Sequence, residues 1–342
     1  MRLIKAAVRL EIMFDKWKKN SAFSLGLGVG LVGGLALALR YAAKKAASRL
    51  IPDSISPAVF ATRVSQTTYG EMVYHTAGAG EPLIFLHGIY FGASSYEWSK
   101  VYPHFTSHWQ VLAPDLIGFG ESQRPANALD ADQHVCALRE FFFEASGGRP
   151  AIVIASDISA ALALLTASKH PESIARLILY QPQNLMESGR RRRPSGVGLM
   201  GRLPLFREFI YRNYLASEHF LKIWLCRFGV SQPEHLSEEM LSVITTCAQQ
   251  YGAHYAIFGL FNGKLSFPLF QRLPSIPQPV TILWPEESPL FPFERGEKMV
   301  KLLPRGSLQL VSYRGVLAPL EDPEGFKKLI EEVLVGELRR IS

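Results

Sequence analysis

Cysteine is scarce in this chain and badly placed for cross-linking. Cys136, Cys226 and Cys247 are odd in number, far apart and without CxxC spacing. That excludes a disulfide framework and a cysteine-based zinc site, and it favours a reducing compartment. Net charge is nearly absent from most of the chain as well. Of the formal +7, residues 1–51 carry +8 and the remainder −1. The basic balance is therefore no footprint of nucleic acid; it marks a basic head on a near-neutral globule. No motif asks for a metal or a cofactor. What is present is length and apolar content: 342 residues, 48% hydrophobic, enough for one large α/β domain with an insertion or for two domains.

The head lacks charge where it matters. Ala22 to Leu39 is an eighteen-residue run without an ionisable group, preceded by Lys16, Lys18 and Lys19 and followed by Arg40, Lys44 and Lys45. This length is near the minimum for a bilayer-spanning helix, so residues 21–43 are expected to form a single transmembrane span. Gly26, Gly30 and Gly34 repeat on one face. Such glycines weaken a helix in water but allow close packing of a second helix in lipid. A cleaved signal is disfavoured, because Ala36-Leu37-Ala38 sits inside the run and the basic lead is too long. Residues 1–20 place Leu3, Ala7, Leu10, Phe14 and Trp17 on one helical face. That face suits a membrane surface or a partner helix equally. The expected partners are thus the bilayer and other membrane-protein subunits, with the side occupied by the globular part left open.

After a linker over residues 44–60, Thr62–His75 alternates as a hairpin turning near Tyr69-Gly70. Apolar runs follow at Pro82–Leu86, Gln110–Ala113, Ala151–Ala155, Ile174–Tyr180, Val280–Trp284 and Leu308–Val311, with helical stretches between them. Strands alternating with helices imply a mostly parallel sheet covered on both faces, with ligands beyond the strands' carboxyl ends. Residues 184–272 interrupt the alternation and read as a helical cap inserted into a core formed by residues 61–183 and 273–342. The run Arg190–Arg193 within it suits a solvated loop or lipid phosphates.

The run ending at Ala155 leads into Ser156-Asp157-Ile158-Ser159 and then a helix opening with Ala160-Ala161. Small residues two places either side of Asp157 permit the strained strand–turn–helix of a nucleophile elbow. Together with Phe85-Leu86-His87-Gly88, Gly92–Trp98, Asp115–Ser122 and Leu320-Glu321-Asp322-Pro323, this resembles the α/β-hydrolase superfamily, most of all its cyanobacterial and plastid-type members. The resemblance implies a nucleophile at Asp157, an acid at Ser288 and a base histidine at Val316, so all three triad positions are substituted. It also implies oxyanion donors among Ile89, Tyr90 and Ile158.

Aspartate at an elbow is the nucleophile of haloalkane dehalogenases and epoxide hydrolases, which pass through an alkyl ester. Val316 takes no proton, and Ile158 and Ile89-Tyr90 depart from the patterns of those two groups. The expectation is therefore a catalytically degenerate protein that binds: a subunit of a membrane complex, or the holder of an apolar ligand. The alternative is an active hydrolase on a hydrophobic ester, epoxide or haloalkane with Asp157 as nucleophile.

Overall fold

The computed structural model describes residues 60–183, 204–288, 291–312 and 314–341. The charge-free run with Gly26, Gly30 and Gly34 lies outside the described residues, as does Arg190–Arg193. Among the described residues no helix is long and apolar enough to cross a membrane.

The expected hairpin is formed by β1 (Ala61–Thr67) and β2 (Gly70–Ala77), with Thr67 opposite Gly70. The remaining apolar runs become β3 (Glu81–Leu86), β4 (Trp109–Pro114), β5 (Ala151–Ser156), β6 (Ile174–Tyr180), β7 (Val280–Pro285) and β8 (Gly306–Val311). They build one eight-stranded sheet in the order β1-β2-β4-β3-β5-β6-β7-β8. The β1–β2 and β2–β4 pairs are antiparallel and all others parallel. Continuous burial along β3, β5 and β6 explains why these strands read as unbroken apolar runs rather than alternating ones.

The helices are α1 (Ala131–Ala145), α2 (Asp157–Lys169), α3 (Pro204–Ile210), α4 (Glu218–Trp224), α5 (Glu238–Ala248), α6 (Ala253–Phe261), α7 (Leu269–Arg272), α8 (Glu294–Leu302), α9 (Ala318–Glu321) and α10 (Pro323–Ile341). α1 starts at a reciprocal cap in which Asp130 and Gln133 satisfy each other's backbone N–H groups. α2 is buried from Asp157 to Ala167, which its run of alanine, leucine and small polar residues allows. Sequence periodicity led us to expect a helix between β3 and β4. The chain instead makes short 3₁₀ turns at Ser95–Trp98 and Tyr102–Phe105. The first of these turns is buried throughout, and the Trp98 indole N–H donates to the Leu86 carbonyl oxygen at 3.1 Å.

α3 to α7 lie between β6 and β7 in the chain and form the described part of the cap. α3 and α4 each run on into a π-helical turn, Tyr211–Leu215 and Leu225–Gly229. The cap is tied to the loop after β8 by main-chain bonds. Val316 N–H donates to Phe228 O at 3.0 Å, and Leu317 N–H donates to Gly229 O at 2.8 Å.

Candidate active site

Asp157 ends the strand and begins the helix with φ +54°. That is left-handed backbone, which a non-glycine residue adopts at a cost and mostly where function keeps it. The tight turn works because Ala155 and Ser159 are small and fully buried on either side. Its effect is to lift the Asp157 carboxyl to the carboxyl edge of the sheet, where the loops after β3, β6 and β7 converge.

The loop after β3 reaches Asp157 through its backbone. Ile89 N–H donates to Asp157 Oδ2 at 3.2 Å, and Ile158 N–H, at the start of α2, faces the same carboxyl and favours its ionised form. Two of the residues expected as oxyanion donors thus hold the side chain of Asp157 itself. The third, Tyr90, enters by its phenol, which faces Glu97.

His87 sets the course of this loop. Leu116 N–H donates to its Nε2 at 2.9 Å, so Nδ1 carries the proton and donates to Gly88 O at 2.6 Å. Burial lowers its pKa and keeps the ring neutral. Asp115 braces the next loop by accepting from Ser95 N–H at 2.6 Å and Glu121 N–H at 2.7 Å. Among the described residues only His75, Asp115 and Glu121 gather ligand-type atoms within 4.8 Å. Because both Asp115 oxygens already hold backbone N–H groups, we read this cluster as a polar tie between strands rather than a metal site.

Ser288 and Val316 stand where the resemblance places an acid and a base. Ser288 Oγ accepts from the Gln181 side-chain amide and, at 3.2 Å, from Phe291 N–H. Among the described residues Gln181 is the other non-glycine residue with positive φ, +47°. Val316 is buried and apolar. Neither supplies a proton acceptor. His170, which the sequence places at a helix end, follows the last turn of α2. His254 packs between Tyr211 and Tyr255, with ring centroids 6.1 and 4.1 Å away, and burial pushes its pKa down to about 4.

Two buried polar side chains escaped the sequence reading. Gln183 donates its N–H to Asp157 O at 3.0 Å, while its Nε2 is buried without a partner. Glu97 is 1% exposed. Its carboxyl takes the Gly88 N–H at 2.8 Å and the Ser156 hydroxyl, and it faces the Tyr90 hydroxyl. Burial raises Asp157 to about 7, opposed by the N–H groups of Ile158 and Ile89. Burial likewise raises Glu97 to about 8; its three donors oppose the shift and Asp157 adds to it. Tyr90 is pushed well above the usual phenol value by burial and by Glu97, so it stays a donor.

A family model described as the alpha/beta hydrolase fold matches residues 81–215. The chain is 34% identical over 111 residues to 2-hydroxymuconate semialdehyde hydrolase of Pseudomonas sp. strain CF600, covering 31% of this chain and 38% of that protein. It is 34% identical over 119 residues to soluble epoxide hydrolase of Corynebacterium sp. strain C12, covering 34% and 41%. These two matches thus span less than half of each relative's length. The crystal structure of a membrane phospholipase A, a bacterial virulence factor, superimposes with a TM-score of 0.65 at 21% identity, covering 98% of this chain and 99% of that one.

Proposed function

Because this chain belongs to the α/β-hydrolase superfamily, we propose that it is a hydrolase of hydrophobic substrates with Asp157 as its nucleophile. The observation that carries the reading is the seat of Asp157 Oδ2 against Ile89 N–H. In a serine hydrolase such donors wait for the oxygen of the substrate's acyl group. Here the nucleophile's own oxygen fills the place, so the oxyanion that the donors serve must form on Asp157. That happens when an alkyl ester of Asp157 is hydrolysed.

The first half-reaction is then displacement at a saturated carbon. Asp157 Oδ1 forms the new C–O bond while the carbon–halogen bond breaks and the halide departs to solvent. With an epoxide the ring C–O bond breaks instead, and the oxygen, left as an alkoxide on the alkyl group, takes a proton from solvent water. In the second, water adds to Asp157 Cγ, negative charge develops on Oδ2 against the Ile89 N–H, and the alkyl oxygen leaves as an alcohol. Attack on a carboxylic ester would give a mixed anhydride and leave its acyl oxygen without donors. Epoxides and haloalkanes therefore fit the site better than esters.

Relatives that are hydrolases, one of them an epoxide hydrolase, weigh toward this reading and against a binding subunit without activity. The proposal keeps the membrane anchor at Ala22–Leu39, on the strength of its charge-free length and basic flanks. The full-length correspondence to a membrane phospholipase A accords with it.

The test is one turnover of 1,2-epoxyhexane or 1-bromohexane in ¹⁸O-water. Label should enter the Asp157 side chain, and Asp157→Asn should lose at least about 10³-fold in turnover, as removal of an essential nucleophile does. Turnover unchanged in Asp157→Asn sinks the proposal. Retention of the chain in membranes after carbonate washing, lost on deleting residues 1–43, checks the anchor.

A further inference from the structure

Hydrolysis of an Asp157 ester needs a proton acceptor for water, and neither Val316 nor Ser288 is one. Glu97 is a buried carboxyl immediately behind the elbow. A Cβ added to Gly88 would stand 3.2 Å from Asp157 Cβ, 3.2 Å from Tyr90 Cε1 and 3.3 Å from Glu97 Oε2. Three side chains able to hold or pass a proton therefore meet around one glycine that has no side chain of its own.

The surroundings of Glu97 are those of an acceptor. Its oxygens take the Gly88 N–H and the Ser156 hydroxyl, and the Tyr90 hydroxyl faces them. No cation is among the groups that act on it; the charged neighbour is Asp157. Burying a carboxylate without a counter-ion is costly, and an apolar residue or a glutamine would fill the space more cheaply. Each donor also belongs to the elbow's own frame: Gly88 precedes the Ile89 that holds Asp157, Ser156 precedes Asp157, and Tyr90 follows Ile89.

We infer that Tyr90 and Glu97 together replace the missing histidine: Tyr90 takes the proton from the attacking water while passing its own to Glu97. The inference rests on Asp157 being the nucleophile. In the step, a water O–H bond breaks as its oxygen bonds to Asp157 Cγ. That proton goes to Tyr90 Oη, and the phenolic proton goes to the Glu97 carboxylate. When the tetrahedral centre collapses, the bond from Cγ to the alkyl oxygen breaks. The proton returns by the same route to the departing alkoxide and makes the alcohol. Asp157 is left as a carboxylic acid that ionises to solvent. Tyr90 touches the water and is the catalytic residue; Glu97 is the positioning residue behind it.

Ionisable groups around this path are Asp157, Glu97 and Tyr90, with Cys247 also acting on the phenol. Both carboxyls must be ionised, so turnover should climb through about 7, where Asp157 titrates, and level off above about 8, where Glu97 does.

The test uses the full chain, 1,2-epoxyhexane as probe, intact-protein mass and steady-state turnover across pH. In Glu97→Gln and in Tyr90→Phe alike, each of which breaks the relay, the alkyl adduct on Asp157 should accumulate to one per chain. Turnover should drop by about 10²-fold or more, the usual share of a general base, and the upper ionisation should vanish from the Glu97→Gln profile. Tyr90→Phe keeps the carboxyl in place and decides the matter if Glu97→Gln fails to fold. Wild-type turnover in both variants without adduct, the wild-type chain itself being alkylated, overturns the relay and leaves the nucleophile standing. Absence of alkylation in wild type and variants alike overturns the nucleophile reading and the relay with it.

Discussion

Gly315 and Gly229 meet so closely that a Cβ on Gly315 would lie 2.0 Å from the Gly229 carbonyl oxygen. One glycine belongs to the loop after β8 and the other to the π turn that ends α4. The contact lets Val316 and Leu317 bond to the cap main chain on either side of it.

Gly315→Ala should therefore push the cap away from the core. The expected loss is about 1–3 kcal/mol, typical of overpacking against backbone that cannot yield. Urea midpoints measure it, and faster amide exchange confined to residues 228–231 and 315–317 would locate it. A variant as stable as the parent would show that the two segments separate at no cost.

Glu321 makes a second tie across the same seam. Its carboxyl receives the Ser231 N–H at 3.0 and 2.9 Å, the Ser231 hydroxyl at 3.1 Å and His235 Nδ1 at 2.5 Å. Glu321→Ala leaves these donors unmatched and should cost about 1–3 kcal/mol. Calorimetry should show a lowered Tm with the fold intact. Glu321→Gln, which still accepts, should lose less.

The raised carboxyls at the elbow fix a sign for stability against pH. Folded Asp157 binds its proton more tightly than the unfolded chain does, with a pKa moved from 3.8 to about 7. Unfolded chains therefore release it first, and stability falls as pH rises from about 4 to about 7, staying lower above. Glu97, moved from 4.5 to about 8, extends the fall by a further unit. Asp157→Asn should abolish much of the slope and be more stable than the parent by ~2–4 kcal/mol at pH 8, but little different at pH 4. Denaturant curves at the two pH values decide it. A parent whose stability rises over this range would contradict the burial of these groups.

Much of this architecture is legible in the sequence because burial writes itself into composition. Val153, Ile154, Leu177 and Ile178 are apolar because both faces of their strands are covered. Ala155 and Ser159 are small because the turn at Asp157 leaves no room. Glu97 is a different case. In Ser95-Tyr96-Glu97-Trp98 a charged residue reads as the solvent face of a helix, whereas the chain there is a buried 3₁₀ turn. The groups that face it come from two distant stretches, Gly88 with Tyr90 in one and Ser156 in the other, and Gly88 and Ser156 are residues whose presence the elbow already explains. Tyr90 was read for its N–H, and nothing local reveals that its phenol points to Glu97. Gln183 likewise follows a strand in a way that any polar loop residue would.

Trp224 lies on Tyr90 with ring centroids 5.9 Å apart and planes inclined by 21°, and it meets Phe91 edge-on at 5.7 Å. The last residue of α4 thus presses on the phenol that faces Glu97. A molecule entering beneath the cap and lifting this indole would change its emission, so arrival of substrate is observable without a label.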